Sequence, residues 1–162
     1  MVLTDDQSIA EHVRDRRDYD NRDGFVQRFA YKMTDMQAAM GRVQLRRLPA
    51  FIARRREIAL RYTQAFTELP LSLPDSEAQV FFRYVVSTPL RAELESHLNE
   101  AGIEAKRPVY KPAHHYFQDG DPKIGVSLLA SYPGADRAHD EALSIPIYPS
   151  LSDAEVDTVI ES

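Results

Sequence analysis

Between Thr34 and Leu69 the apolar residues Met36, Met40, Val43, Leu48, Phe51, Ile52, Ile58, Tyr62, Phe66 and Leu69 recur mostly at steps of three or four. That spacing places them on one face of an α-helix and is the strongest helical signal in the chain. Thr34-Asp-Met-Gln37 is a capping box that opens the run, because the threonine hydroxyl and the glutamine amide can each satisfy the other residue's free backbone N–H. Pro70 and Pro74 close it. Pro49 falls inside it, and a residue that lacks an amide hydrogen and crowds the preceding turn predicts either a kink or two abutting helices.

The other elements are shorter. Thr4-Asp-Asp-Gln7 is a second capping box, predicting a helix through Ile9, Ala10 and Val13. Asp18 to Arg28 is polar and without period, so an exposed, mobile loop is expected. Val80 to Val86 is rich in β-branched and aromatic residues and predicts a strand. Thr88-Pro89 reads as an N-cap followed by proline at the first helical position, with Leu90, Leu94 and Leu98 carrying the helix to Gly102 as its stop. Ile103 to Val109 is a candidate second strand. Tyr110 to Pro133 reads as a long, partly irregular segment of the kind that often carries function. Ala135 to Leu143 reads as helix and Ile145 to Ile147 as extended chain, and Ser152-Asp-Ala-Glu155 caps a last helix that buries Val156, Val159 and Ile160. The expected fold is α+β: a small sheet built around Val80–Val86 and Ile103–Val109, covered by helices, with the long kinked helix leading into it. Residues 1–33 are expected to form an N-terminal arm and residues 34–162 a small domain that includes the long helix.

A chain of 162 residues, 43% apolar and 28% charged, has the length and composition of one folded domain, or a small domain plus an arm, rather than of a disordered or membrane-embedded chain. Its net charge of −5 argues against nucleic acid as the main partner, since that binding draws on phosphate neutralisation by Lys and Arg. The absence of cysteine excludes disulfides, thiolate metal sites and a cysteine nucleophile. No apolar stretch approaches the length of a membrane helix and no basic-then-apolar leader opens the sequence, so a cytoplasmic protein with no membrane contact is expected.

Four groups of residues hint at chemistry. Lys32, just before the Thr34 cap, is placed to help hold an anion where helix amides are free. His114, His115 and the later His139-Asp140 invite a metal, but adjacent histidines usually diverge and the spacing matches no zinc pattern, so no metal site is expected. Arg46, Arg47, Arg54, Arg55, Arg56 and Arg61 make the long helix basic; with Glu57 and Glu68 nearby and no aromatic platform, a solvated face is expected rather than a nucleic-acid surface. Phe81, Phe82 and Tyr84 read as packing, while Arg83 among them can pair with a carboxylate or reach a phosphate. Tyr110, Tyr116, Phe117, Tyr132 and Tyr148 fit either a core or a pocket wall.

The segment Tyr31-Lys-Met-Thr-Asp-Met-Gln-Ala-Ala-Met-Gly-Arg-Val-Gln-Leu45 resembles the pre-helix motif of the DegT/DnrJ/StrS family of PLP-dependent sugar aminotransferases. Phe51-Ile-Ala-Arg-Arg-Arg56, Ala101-Gly-Ile103, Tyr110-Lys-Pro-Ala-His114, Tyr132-Pro-Gly-Ala135 and Leu143-Ser-Ile-Pro-Ile-Tyr-Pro-Ser-Leu-Ser-Asp153 follow in the family's order. The resemblance implies the small C-terminal domain of a fold-type-I enzyme that passes an amino group, usually from glutamate, to a nucleotide-linked keto-sugar. It implies pyridoxal phosphate (PLP) as coenzyme in the intact parent, and a homodimer, which here can form by exchange of the arm from Met1 to Tyr31. It also implies that Tyr31 and Lys32 approach the coenzyme phosphate from a loop reaching into the neighbouring subunit; an asparagine common in the family two residues before Lys32 is Ala30 here. His114 is implied to lie near the sugar, with Tyr110 and Arg107 beside it; Arg83, from its place in an apolar strand, is a further candidate substrate contact. The family's coenzyme-holding lysine, its stacking aromatic and its acidic partner for the pyridine nitrogen have no counterparts among these residues. The chain alone is therefore expected to be non-catalytic, and a missing N-terminal half is a possible partner. The competing expectation is a non-catalytic dimerisation or interaction module derived from the family.

Overall fold

The computed structural model describes residues 2–20, 23–75, 79–116 and 131–162. In chain order its elements are α1 (Gln7–Arg16), α2 (Asp35–Phe66), β1 (Tyr84–Ser87), α3 (Arg91–Glu100), a short 3-10 turn (Ala113–Tyr116), α4 (Pro133–Glu141), β2 (Ala142–Ile145) and α5 (Asp153–Glu161). They divide into two compact units, Met1–Arg47 and Leu48–Ser162, each described by itself.

In the first unit, α1 starts later than its sequence pattern predicts. Asp6, not Thr4, is the N-cap, its carboxylate accepting from the amides of Ser8 and Ile9. The Thr4 hydroxyl instead accepts from Asp6 N–H. A carboxylate is the better partner for the free amides and positive end of a helix, so the start moves to it. The chain after α1 runs back against it: Phe29 and Tyr31 donate their amides to the carbonyls of Arg16 and Arg17, and Arg28 pairs with Asp15 at 3.1 Å. Thr34 and Gln37 then form the expected capping box, each side chain bonded to the other's amide.

α2 runs unbroken through Pro49, so the two abutting helices do not occur. In the second unit its buried face is Ile58, Ala59, Tyr62 and Phe66, a one-and-four spacing. These pack with Tyr84 and Val86 of β1, Leu143 and Ile145 of β2, Leu98 of α3, and Val156 and Val159 of α5 in one core. The Tyr62 and Tyr84 rings meet edge to face at 5.3 Å. The Tyr62 hydroxyl donates to the Pro146 carbonyl, and among the described residues no buried side-chain polar atom lacks a partner.

The sheet is antiparallel, with Tyr84 opposite Ile145 and Val86 opposite Leu143. Strict alternation buries those four and leaves Val85, Ser87, Ala142 and Ser144 partly exposed. Single bridges extend it on either side, Ser72 to Ser87 and Lys106 to Ser144. This differs from the expected pairing. Residues 103–109 contribute one bridge and not a strand, because Ala105 spends both backbone groups on the Asn99 side chain and Pro108 has no amide to give. The partner strand comes instead from Ala142–Ile145, of which the sequence reads Ala142 and Leu143 as the end of a helix and Ile145 as extended chain. β1 also starts late. Phe81 has φ +46, a left-handed turn that strand geometry does not allow, and Phe82 is 74% exposed rather than packed.

Two helix ends carry the remaining differences. α3 begins after Leu90, with no side-chain cap. Thr88 is not its N-cap: the Thr88 amide is bonded to the Glu141 carbonyl, which keeps that residue with the sheet. Its other end is as expected, with Gly102 at φ +81 and the amides of Gly102 and Ile103 reaching back to Asn99 and Leu98, the paired bonds of a Schellman motif. α5 opens on a complete Ser152–Glu155 capping box. The irregular stretch expected from Tyr110 to Pro133 lies in large part outside the described residues; its beginning forms the 3-10 turn.

Candidate functional site

The residues singled out in the second unit gather where the Lys106–His115 segment meets β1 and α4. Pro133 begins α4, where its missing N–H costs nothing. That start puts Asp136 in the first turn and His139 in the last. The 3-10 turn presents His114 and His115 side by side, their rings 4.4 Å apart. His114 donates from Nε2 to Asp136 Oδ1 at 2.9 Å, and His115 Nε2 stands 3.0 Å from the same oxygen. The expected divergence of the adjacent histidines does not occur. Successive side chains of a 3-10 turn point about 120° apart, and the carboxylate fills the angle between them. The hydrogen bond from His114, helped by the charges of both histidines, holds the Asp136 carboxyl below its ordinary range.

His139 ties the other candidates together. Its Nε2 donates to the Tyr110 carbonyl at 3.1 Å, and the Arg107 guanidinium lies 3.5 Å from that nitrogen. Arg83 donates to the Pro108 carbonyl. Arg83, Arg91, Lys106, Arg107 and Tyr110, with Glu95, line a groove of about 640 Å³. Arg91 is committed within it to Glu95 and to the Asp140 carbonyl, and Lys106 to Glu104. Arg83 and Arg107 have no carboxylate partner among the described residues, so their charge faces the groove and favours an anion there. Arg83, Arg107, Tyr110 and His114 are thus brought to one region. Sequence reasoning did not single out Asp136 or Arg91, nor the bond of His139 to the Tyr110 carbonyl; for Asp136 the available signal was its place directly after Tyr132-Pro-Gly-Ala135. A cavity of about 460 Å³ between the Ala101–Lys106 segment and α5 holds none of the four.

Tyr31 and Lys32 lie in the first unit. Tyr31 stacks on Phe29 at 5.0 Å, and Lys32 Nζ sits 2.8 Å from Asp18, a hydrogen bond that raises the lysine pKa. A coenzyme-holding lysine needs an amine enclosed with its ligand, and the described lysines do not fit that: Lys32 and Lys106 are more than half exposed and paired, and Lys111 lies over the Tyr116 ring. Lys123 falls outside the described residues.

Of the basic run of α2, Arg46 and Arg47 lie on an exposed stretch as expected, whereas the four later arginines reach across to other segments of the second unit. Arg54 reaches the Leu151 carbonyl and Asp153, Arg55 the carbonyls of Phe81, Phe82 and Ile147, Arg56 the Gln79 carbonyl, and Arg61 both Asp153 and Asp157. No helix among the described residues is long and apolar enough to cross a membrane.

The sequence profile of the DegT/DnrJ/EryC1/StrS aminotransferase family matches residues 1–162. A dTDP-4-dehydro-2,3,6-trideoxy-D-glucose 4-aminotransferase of Saccharopolyspora spinosa is 37% identical over 135 residues, 78% of this chain and 33% of that protein. Among solved structures, the aminotransferase TlmJ of Streptoalloteichus hindustanus superposes with a TM-score of 0.80 at 30% identity, covering 97% of this chain and 44% of its own. DesV of S. venezuelae superposes at 0.82 and 28% identity, covering 98% and 44%. The fold is that of the small domain of fold-type-I aminotransferases. The chain spans less than half the length of these relatives.

Proposed function

The chain belongs to the DegT/DnrJ/EryC1/StrS aminotransferase family, and on that premise we propose that it serves as the C-terminal part of an enzyme transferring an amino group from an amino acid, glutamate in our reading, to a nucleotide-linked keto-sugar. The observation that carries this is the family match along all 162 residues; the gathering of Arg83, Arg107 and Tyr110 on one groove supports it, with His114 held to the neighbouring α4 through Asp136. PLP is the coenzyme of the reading. Because the described lysines do not fit it, its pocket belongs to residues other than these, and the chain contributes a wall of the sugar site. Arg83 and Arg107 offer guanidinium N–H groups to the substrate's phosphates, and Tyr110 and His114 face the sugar. Residues 1–33 act as an arm and 34–162 as the small domain, with Tyr31 and Lys32 offered to a neighbouring subunit.

Combining the chain with the N-terminal part of a family relative, then supplying glutamate and a dTDP-keto-sugar, tests the reading. Amino-sugar formation is expected, with Arg107→Ala raising KM by about tenfold for one lost charged hydrogen bond. No product together with no nucleotide-sugar binding would sink it.

The alternative of an association module draws on an apolar groove of about 340 Å³ formed by Leu48, Phe51, Ile52, Val80, Phe82 and Pro149. Exposed apolar patches favour association, and in our reading the protein is a homodimer. Sedimentation showing only monomer at tens of micromolar would count against that.

A further inference from the structure

We propose that His114, His115 and Asp136 form a binding site for one borderline-soft divalent cation of the zinc class; the site shares His114 with the proposed sugar contacts, but its occupancy does not depend on that reading. One ring nitrogen from each histidine and one carboxylate oxygen all lie within 4.8 Å of one another. A tetrahedral zinc with bonds near 2.0–2.2 Å sets its ligand atoms about 3.4 Å apart. The histidine nitrogens stand 2.9 and 3.0 Å from Asp136 Oδ1, so a metal at their centre requires a separation of roughly half an ångström on each side, within the reach of carboxylate rotation. Three ligands leave a fourth position open, and side-chain exposures of 20%, 38% and 41% give solvent access to it.

The donor set selects the ion. Two imidazoles and one carboxylate suit Zn²⁺, Co²⁺, Ni²⁺ or Cu²⁺, whereas Mg²⁺ and Ca²⁺ take oxygen ligands. Its ligands are also held in place before the metal arrives. The 3-10 turn fixes the two histidines as neighbours, the Tyr132 ring packs 5.0 Å from that of His114, and Asp136 is rooted in the first turn of α4. His139 is not among the groups whose ligand atoms converge; its Nε2 is bonded to the Tyr110 carbonyl. Occupied, the site links two segments some twenty residues apart in sequence, the turn at 113–116 and α4.

The full 162-residue chain is to be titrated with Zn²⁺ by calorimetry and with Co²⁺ by visible absorbance. One saturable equivalent and the intense bands of four-coordinate cobalt are expected, with no competition from Mg²⁺. His115→Ala and Asp136→Ala should each weaken binding by more than about tenfold, the loss that removing even an outer partner of a ligand causes, while His97→Ala leaves it unchanged. In the unsubstituted protein, Zn²⁺ should protect His114 and His115, but not His12 or His97, from diethyl pyrocarbonate, a readout that does not depend on the variants folding. No saturable binding in the millimolar range, full affinity in both ligand variants, or protection only at other histidines would overturn the proposal.

Discussion

Arg55 reaches from α2 with one nitrogen to the carbonyls of Phe81, Phe82 and Ile147 at 2.9 to 3.0 Å. It thereby satisfies the backbone of the left-handed turn at Phe81 and of the chain leaving β2. Replacing it with Met keeps the aliphatic stem but leaves those carbonyls without their charged donor, and a loss of about 2 kcal/mol in urea unfolding is expected. Such a role is not legible in sequence: an arginine among arginines looks the same whether it faces water or a carbonyl 92 residues away. The candidate site shows the same limit. Resemblance singles out His114, Tyr110 and Arg107, and the strand pattern Arg83, yet the acid that organises His114 and the histidine that holds Tyr110 become visible only when α4 packs beside them. Adjacent histidines can share one carboxylate because their backbone is a 3-10 turn, a geometry that their spacing alone does not reveal.

Among the elements, those with strong local chemistry are the ones that read correctly. The boxes at Thr34 and Ser152 form as their side chains dictate, and Gly102 takes the left-handed conformation that ends α3. Nothing lies within 4 Å of a Cβ built on Gly102, so Gly102→Ala isolates the backbone penalty. A loss of about 1 kcal/mol is expected in thermal or urea unfolding, without change in the slope of the urea transition. Where two local signals compete, tertiary pairing decides. Thr88 has a capping side chain, yet its amide is held by the Glu141 carbonyl beside the sheet and α3 begins later. Residues 103–109 lose their ladder to Asn99, and residues 142–145 leave the helix because Leu143 and Ile145 complete the core opposite Val86 and Tyr84.

At the scale of the whole chain, the second unit closes on itself through Asp153, which binds Arg54 and Arg61 of α2 from the first residue of α5. The hydrogen bond from Arg54 is the main cause that holds the Asp153 carboxyl below its ordinary range. A carboxyl depressed in the folded state contributes stability that is full above its unfolded value near pH 4, and that is lost as pH falls through the lower folded value. Unfolding measured from pH 6 down to pH 2 should therefore show stability falling in that acid window, and Asp153→Asn should flatten the fall; an unchanged profile would remove Asp153 as the closing contact. The sequence by itself determined the periodic helices, the caps at Thr34 and Ser152, the stop at Gly102, and the family to which they belong, because those signals sit within a few residues of one another. The strand partner of β1, the inward turn of the arginines and the meeting of His114 and His115 on Asp136 were decided only by tertiary structure, since each depends on groups far apart in the chain competing for the same hydrogen bonds and the same buried space.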